Sequence, residues 1–199
     1  MRSRILSLLL SVVFIGLLPI ASQAVVIDTT ASWTDLANTG YAGSGQSLTV
    51  DNTDTTLDNI GFYFHEDANG LTFNFILSDA LNFGTTLFAT SFVVNVASIN
   101  VIDIGLELTG GSTVWALIDY AGYYGASAHI INDNVYSGGT SVFGDINSMS
   151  TFVGWDHSFV ANFSNNNPPP VDVSEPGSLA LLSLSLFGLA GLRRRRSNN

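Results

Sequence analysis

The chain has 199 residues, sixteen acidic side chains against six basic ones, a net charge of −10 and no cysteine. All six basic residues are arginines, at 2, 4 and 193–196, so the span 25–192 holds every carboxylate and no Lys or Arg. Disulfides and thiolate metal sites are therefore excluded. So is nucleic-acid binding, because no cationic side chain is present to displace phosphate counterions. Docking to anionic lipid or acidic polysaccharide is disfavoured unless divalent cations bridge the two.

Arg2 and Arg4 form a basic n-region, Ile5–Leu18 an apolar h-region, and Pro19 breaks it. Ser22-Gln23-Ala24 then places small residues where signal peptidase requires them. Residues 1–24 read as a signal peptide, with cleavage between Ala24 and Val25. Arginines at both ends and none between them follow the positive-inside rule and predict an exported middle.

Residues 25–163, roughly 140 in all, suit one domain with a core that needs no cross-link. Ser32-Trp33-Thr34-Asp35 reads either as the cap of a single helical turn or as a polar loop. Gly43-Ser44-Gly45 reads as a flexible turn. Beyond it, period-two patterning dominates. Ile60, Phe62 and Phe64 point one way, and Leu71, Phe73, Phe75 and Leu77 repeat the pattern after Glu66-Asp67-Ala68-Asn69-Gly70. This predicts a hairpin with one aromatic face. Phe92, Val94 and Val96 continue the alternation, as do Ile102, Ile104, Leu106 and Leu108 before the Gly110-Gly111 turn. Val114–Tyr120 is apolar on both parities, as a central strand covered on both faces should be. Thr151–Trp155 and Ser158–Phe163 are expected to pair around a turn at Asp156-His157. The predicted fold is all-β, a single antiparallel β-sandwich of jelly-roll type, with no long helix in 40–163.

Three constellations are candidates for chemistry. Asp51, Asp54 and Asp58 crowd one stretch and supply hard oxygens of the kind Ca²⁺ takes, which makes calcium the candidate cofactor. The competing reading is a solvated loop with Asx turns. His65, His129 and His157 lack metal-ligand spacing and read as surface turns. Trp115, Tyr120, Tyr123 and Tyr124 are either a sugar-stacking platform or loop packing. No nucleophile elbow, phosphate loop or dinucleotide fingerprint is present.

Residues 164–172, passing from Asn165-Asn166-Asn167 into Pro168-Pro169-Pro170, read as an extended linker. Val173-Ser174-Glu175-Pro176 follows, then the uncharged leucine-rich run 177–192, then Arg193, Arg194, Arg195 and Arg196. As a helix the run covers about 24 Å, a minimal membrane span with the arginines as a cytoplasmic stop. Motif, apolar run and arginine cluster together resemble the PEP-CTERM sorting signal of Gram-negative bacteria. Ser174 stands where that family most often has its first proline. The resemblance implies an exosortase as partner after signal peptidase, transient membrane anchoring, and association with biofilm exopolysaccharide. The expected function is a non-enzymatic surface or extracellular-matrix component. The alternative is a small secreted polysaccharide hydrolase, which would need two carboxylates facing each other across a cleft at about 5–9 Å.

Overall fold

The computed structural model describes residues 24–82 and 84–165; the expected signal peptide and the sorting tail lie outside the described residues. The chain divides into two units between Asn166 and Asn167, and the description concerns the first. Its described residues form twelve strands. Those before the midpoint are β1 (Val25–Asp28), β2 (Gly43–Thr49), β3 (Thr56–Phe62), β4 (Thr72–Ser78) and β5 (Thr86–Val93). Then come β6 (Asn100–Glu107), β7 (Thr113–Asp119), β8 (Ile130–Ile131) and β9 (Ser141–Asp145). The last are β10 (Ser148–Phe152), β11 (Asp156–His157) and β12 (Phe159–Ser164). Helical structure among the described residues is limited to single 3₁₀ turns at Thr30–Ser32 and Glu66–Ala68.

Every pairing between these strands is antiparallel. One sheet runs β1-β12-β3-β6, a second runs β10-β9-β2-β7-β4-β5, and β11 pairs with β8 alone. The pairs β4·β5, β3·β6, β2·β7 and β1·β12 are the successive rungs of one long hairpin folded across two sheets. That nesting is the jelly roll, and β8–β11 are inserted into it ahead of the closing strand β12.

Alternation decides which residues meet. On β6, Ile102 is buried and Ile104 and Leu106 half-buried, while Val101, Asp103, Gly105 and Glu107 are exposed. Leu57, Ile60, Phe62, Phe159 and Phe163 from the first sheet share one core with Leu48, Phe73, Phe75, Leu77 and Ile118 from the second. The apolar run on β7 is explained by its place between β2 and β4. Its Val114, Ala116 and Ile118 enter the main core, and Leu117 joins Val142 and Met149 in a smaller cluster that Trp115 packs against. Among the described residues, the buried residues of the main core all lie between Leu48 and Phe163, so 25–165 carries that core within itself and is expected to fold as a unit.

Three sequence expectations are corrected. β3 and β4 do not form a hairpin: β3 pairs with β12 and β6, β4 with β5 and β7. Their aromatic rows face each other across the core instead of lying side by side, and the nine residues between them cross from sheet to sheet. Gly43-Ser44-Gly45 is no turn but the start of β2, buried between β9 and β7. The segments flanking Asp156-His157 do not pair either. β10 belongs to one sheet and β12 to the other, and Asp156-His157 is the buried passage between them.

Gly45 reports how closely β2 and β7 approach. A Cβ there would fall on the Ala116 carbonyl oxygen and against Leu117. Gly45→Ala is expected to lower the unfolding free energy by about 1–3 kcal/mol in urea titrations. An unchanged midpoint would contradict this close approach.

Candidate functional site

The inserted strands β8–β11 are not needed to close the jelly roll, and two features are built on them. The first is a groove. β9 adds to the edge of β2 and β10 to the edge of β9, so the second sheet extends two strands beyond its jelly-roll set. The register sets Phe143 beside Ser44, which faces the core, and sets Ser150 beside Phe143, Ser148 beside Asp145 and Phe152 beside Ser141. These side chains therefore lie on the core-side face of the extension. The chain around Gly40–Ala42, Tyr124 and Trp155 covers that face only in part.

Two adjoining recesses of about 440 and 220 Å³ remain, sharing Tyr41, Phe143 and Phe152. The larger falls in the usual range for small-molecule sites, about 300–1,000 Å³. Its rings are in mutual contact. Phe143 meets Phe152 at 4.8 Å between centroids, and Tyr41 lies 5.6 Å from Phe143 and 6.2 Å from Phe152. Trp155 continues the row at 6.3 Å from Phe152. Tyr41 and Tyr124 are 38% and 57% exposed, so each presents ring surface to water.

The second feature is a buried polar bridge. His157 has no exposed surface; its Nε2 lies 2.8 Å from Ser44 Oγ and its Nδ1 3.0 Å from Ser141 Oγ. Its backbone N–H donates to Gln46 Oε1 at 3.0 Å, and Gln46 Nε2 donates to Asp156 Oδ1 at 2.8 Å. Asp156 Oδ2 accepts the Tyr136 N–H at 2.8 Å, and Ser44 also bonds Tyr120. With no cation in the domain, the buried Asp156 carboxylate is held by amide donors alone, and burial raises its pKa. Burial drives the His157 pKa down to about 3, so the ring is neutral, and either hydroxyl can donate or accept as its tautomer requires.

A hydroxyl 2.8 Å from an imidazole nitrogen is the spacing of a nucleophile and its base. Here Ser44, Ser141 and His157 are all fully buried, so no substrate reaches them. The bridge ties β2, β9 and β11 together and is structural.

The histidines correct the expectation of surface turns. Besides the buried His157, His129 is half-buried and stacks on Trp33 at 3.6 Å between nearly parallel rings. Burial, then the neighbouring His65, pulls its pKa down to about 4. His65 alone sits at a turn, where its Nδ1 accepts the Asp67 N–H. The aromatic platform is not assembled either. Tyr120 is in the core, Tyr123 packs on Phe73 at 6.2 Å, and Trp115 lies against the smaller cluster. Only Tyr124 reaches the groove. The other groove residues were missed in the sequence, where the sole local signal was Phe143-Gly144-Asp145 ahead of a short polar turn.

Asp51, Asp54 and Asp58 are not gathered into one ligand set. Asp51 Oδ1 accepts the Thr53 hydroxyl at 2.6 Å, the Thr53 N–H at 2.7 Å and the Asp54 N–H at 3.1 Å, and these bonds, the hydroxyl's first, lower its pKa. Asp54 is buried, and Asp58 accepts from Ser164 at 2.9 Å on β12. Among the described residues no group of three or more His, Asp or Glu is placed to hold a metal ion.

The family model of the PEP-CTERM protein-sorting motif matches residues 172–196. The tail is a PEP-CTERM sorting motif. The match takes in Val173-Ser174-Glu175-Pro176, the leucine-rich run and Arg193–Arg196, all outside the described residues. A PEP-CTERM motif implies exosortase-type processing, export, and sorting to the cell envelope or surface. Comparison with curated proteins and with solved structures gives no match. The sorting motif therefore speaks for the tail, and the geometry of 25–165 must speak for the domain.

Proposed function

We propose that signal peptidase removes residues 1–24 and that an exosortase-like enzyme then processes the tail near Glu175-Pro176. The sandwich is delivered outside the cell as a non-enzymatic surface or matrix component associated with exopolysaccharide. The observation that carries this reading is the PEP-CTERM match at 172–196. One feature of the domain supports it. β1 begins at Val25, directly after Ser22-Gln23-Ala24, so cleavage there leaves the sheet whole.

Mass spectrometry of the protein from an exosortase-bearing host should find an N-terminus at Val25 and no peptide containing Arg193–Arg196. In a host lacking the exosortase, the arginine-bearing peptide should persist in the membrane fraction. Intact Arg193–Arg196 on most of the cell-associated protein of the exosortase-bearing host would reduce the tail to a plain membrane anchor.

A further inference from the structure

We infer that the groove framed by Tyr41, Tyr124 and the β9–β10 hairpin binds a neutral glycan chain. This deepens the proposed exopolysaccharide association by naming a site and a ligand class. Three observations converge on it. The first is shape and ring surface. Half-buried Phe152 floors the groove against the buried Phe143 ring, and Tyr41 and Tyr124 expose ring surface at its margins. Such surfaces match the apolar C–H faces of pyranose rings, and each Tyr keeps a hydroxyl for the sugar's polar edge.

The second is the polar rim. Asp145, Ser148 and Ser150 are exposed and line the larger recess. Among the described residues their side chains make none of the hydrogen bonds that occupy Ser44, Ser141 and Asp156. A carboxylate and two hydroxyls beside stacked rings suit a polyhydroxylated ligand better than an apolar one. A peptide side chain would find rings to pack on but no deep apolar pocket, because both recesses are open to solvent.

The third is charge. Asp145 sits on the rim, and residues 25–192 contain no Lys or Arg. A uronate or sulfated chain would meet only like charge, so the glycan is neutral. The two recesses adjoin, sharing three ring-bearing residues, so together they offer room for more than one sugar of a chain.

The test is affinity electrophoresis of the 25–165 domain through gels containing laminarin, hydroxyethyl cellulose, mannan, galactan or alginate. Retardation by at least one neutral polysaccharide and none by alginate is expected. Tyr41→Ala and Tyr124→Ala should each weaken the retardation roughly tenfold, the loss of one stacking contact. The fluorescence of the wild-type domain, whose Trp155 lines the second recess, should shift on adding an oligosaccharide of the retarding polymer. A panel with no retardation, retardation by alginate alone, or undiminished retardation of both folded variants would overturn the assignment. So would a peptide library that competes at the groove better than any sugar. Loss of Arg193–Arg196 in cells alongside a silent panel would reject the groove and leave the sorting reading intact. Retained arginines with a positive panel would do the reverse.

Discussion

Stability of the 25–165 domain is expected to fall as the pH drops below about 6.5, with a slope approaching 1.4 kcal/mol per pH unit from His157. In the fold His157 stays neutral down to about pH 3, whereas in the unfolded chain it takes a proton near 6.5. The unfolded chain therefore binds more protons across that window. The stability is fully present above 6.5 and is lost as the pH falls toward 3. His129, lowered to about 4, adds a contribution of the same sign, reduced because part of the residue reaches solvent.

Asp156 acts the other way, since its raised pKa lets the folded state accept a proton more readily than the unfolded chain. Its effect is common to the wild type and His157→Gln, so the difference between their slopes from pH 6.5 to 5 isolates the imidazole. Urea unfolding across that interval at fixed ionic strength measures the slope. His157→Gln keeps a donor and an acceptor in the buried site but cannot titrate. It should be less stable at pH 7 and show a clearly shallower slope. A wild-type slope near zero, or an equal slope in His157→Gln, would mean that the imidazole does not carry the effect.

The same residue shows where sequence reading stops. Period-two patterning identifies which side chains share a face, and it placed Phe73 and Phe75 on β4, Ile102 on β6 and the two-sided β7 correctly. It does not say which strand lies alongside, because facing rows in two sheets alternate just as paired rows in one sheet do. The turn read at Glu66–Gly70 has a length ordinary for a hairpin loop, about two to five residues, so it gave no warning; the structure ends β3 at Phe62 and starts β4 at Thr72. Asp156-His157 reads as a turn because both residues are polar. They are buried because Ser44, Gln46 and Ser141, far away in sequence, meet their hydrogen bonds. No local pattern encodes that meeting. The groove escaped for a related reason: Tyr41, Tyr124 and Phe152 become neighbours only once the inserted β9–β10 hairpin extends the second sheet. The tail, by contrast, was legible at once, because a sorting motif is recognised as a linear stretch and owes nothing to tertiary contacts.

Phe73→Ala is expected to destabilise the domain by about 3–5 kcal/mol, the usual range for deleting a buried phenyl ring. Phe73 has no exposed surface and is the hub of the aromatic core. Its ring lies 4.9 Å from that of Tyr120, 5.7 Å from Phe64, 6.2 Å from Tyr123 and 6.4 Å from Phe92. Truncation removes all four contacts and leaves a cavity between rings too rigid to collapse into it. The chain has no cysteine to cross-link it. A loss of that size is a large share of the roughly 5–15 kcal/mol that holds a domain folded. Phe88 is the control, because it is half-buried on β5 and, among the aromatic rings of the described residues, meets only Phe75, at 6.3 Å. Phe88→Ala should cost well under half as much. Urea titration with an unchanged m-value reads both losses directly. A Phe73→Ala loss below about 1 kcal/mol, or one no larger than that of Phe88→Ala, would mean that the aromatic core is not centred on this ring.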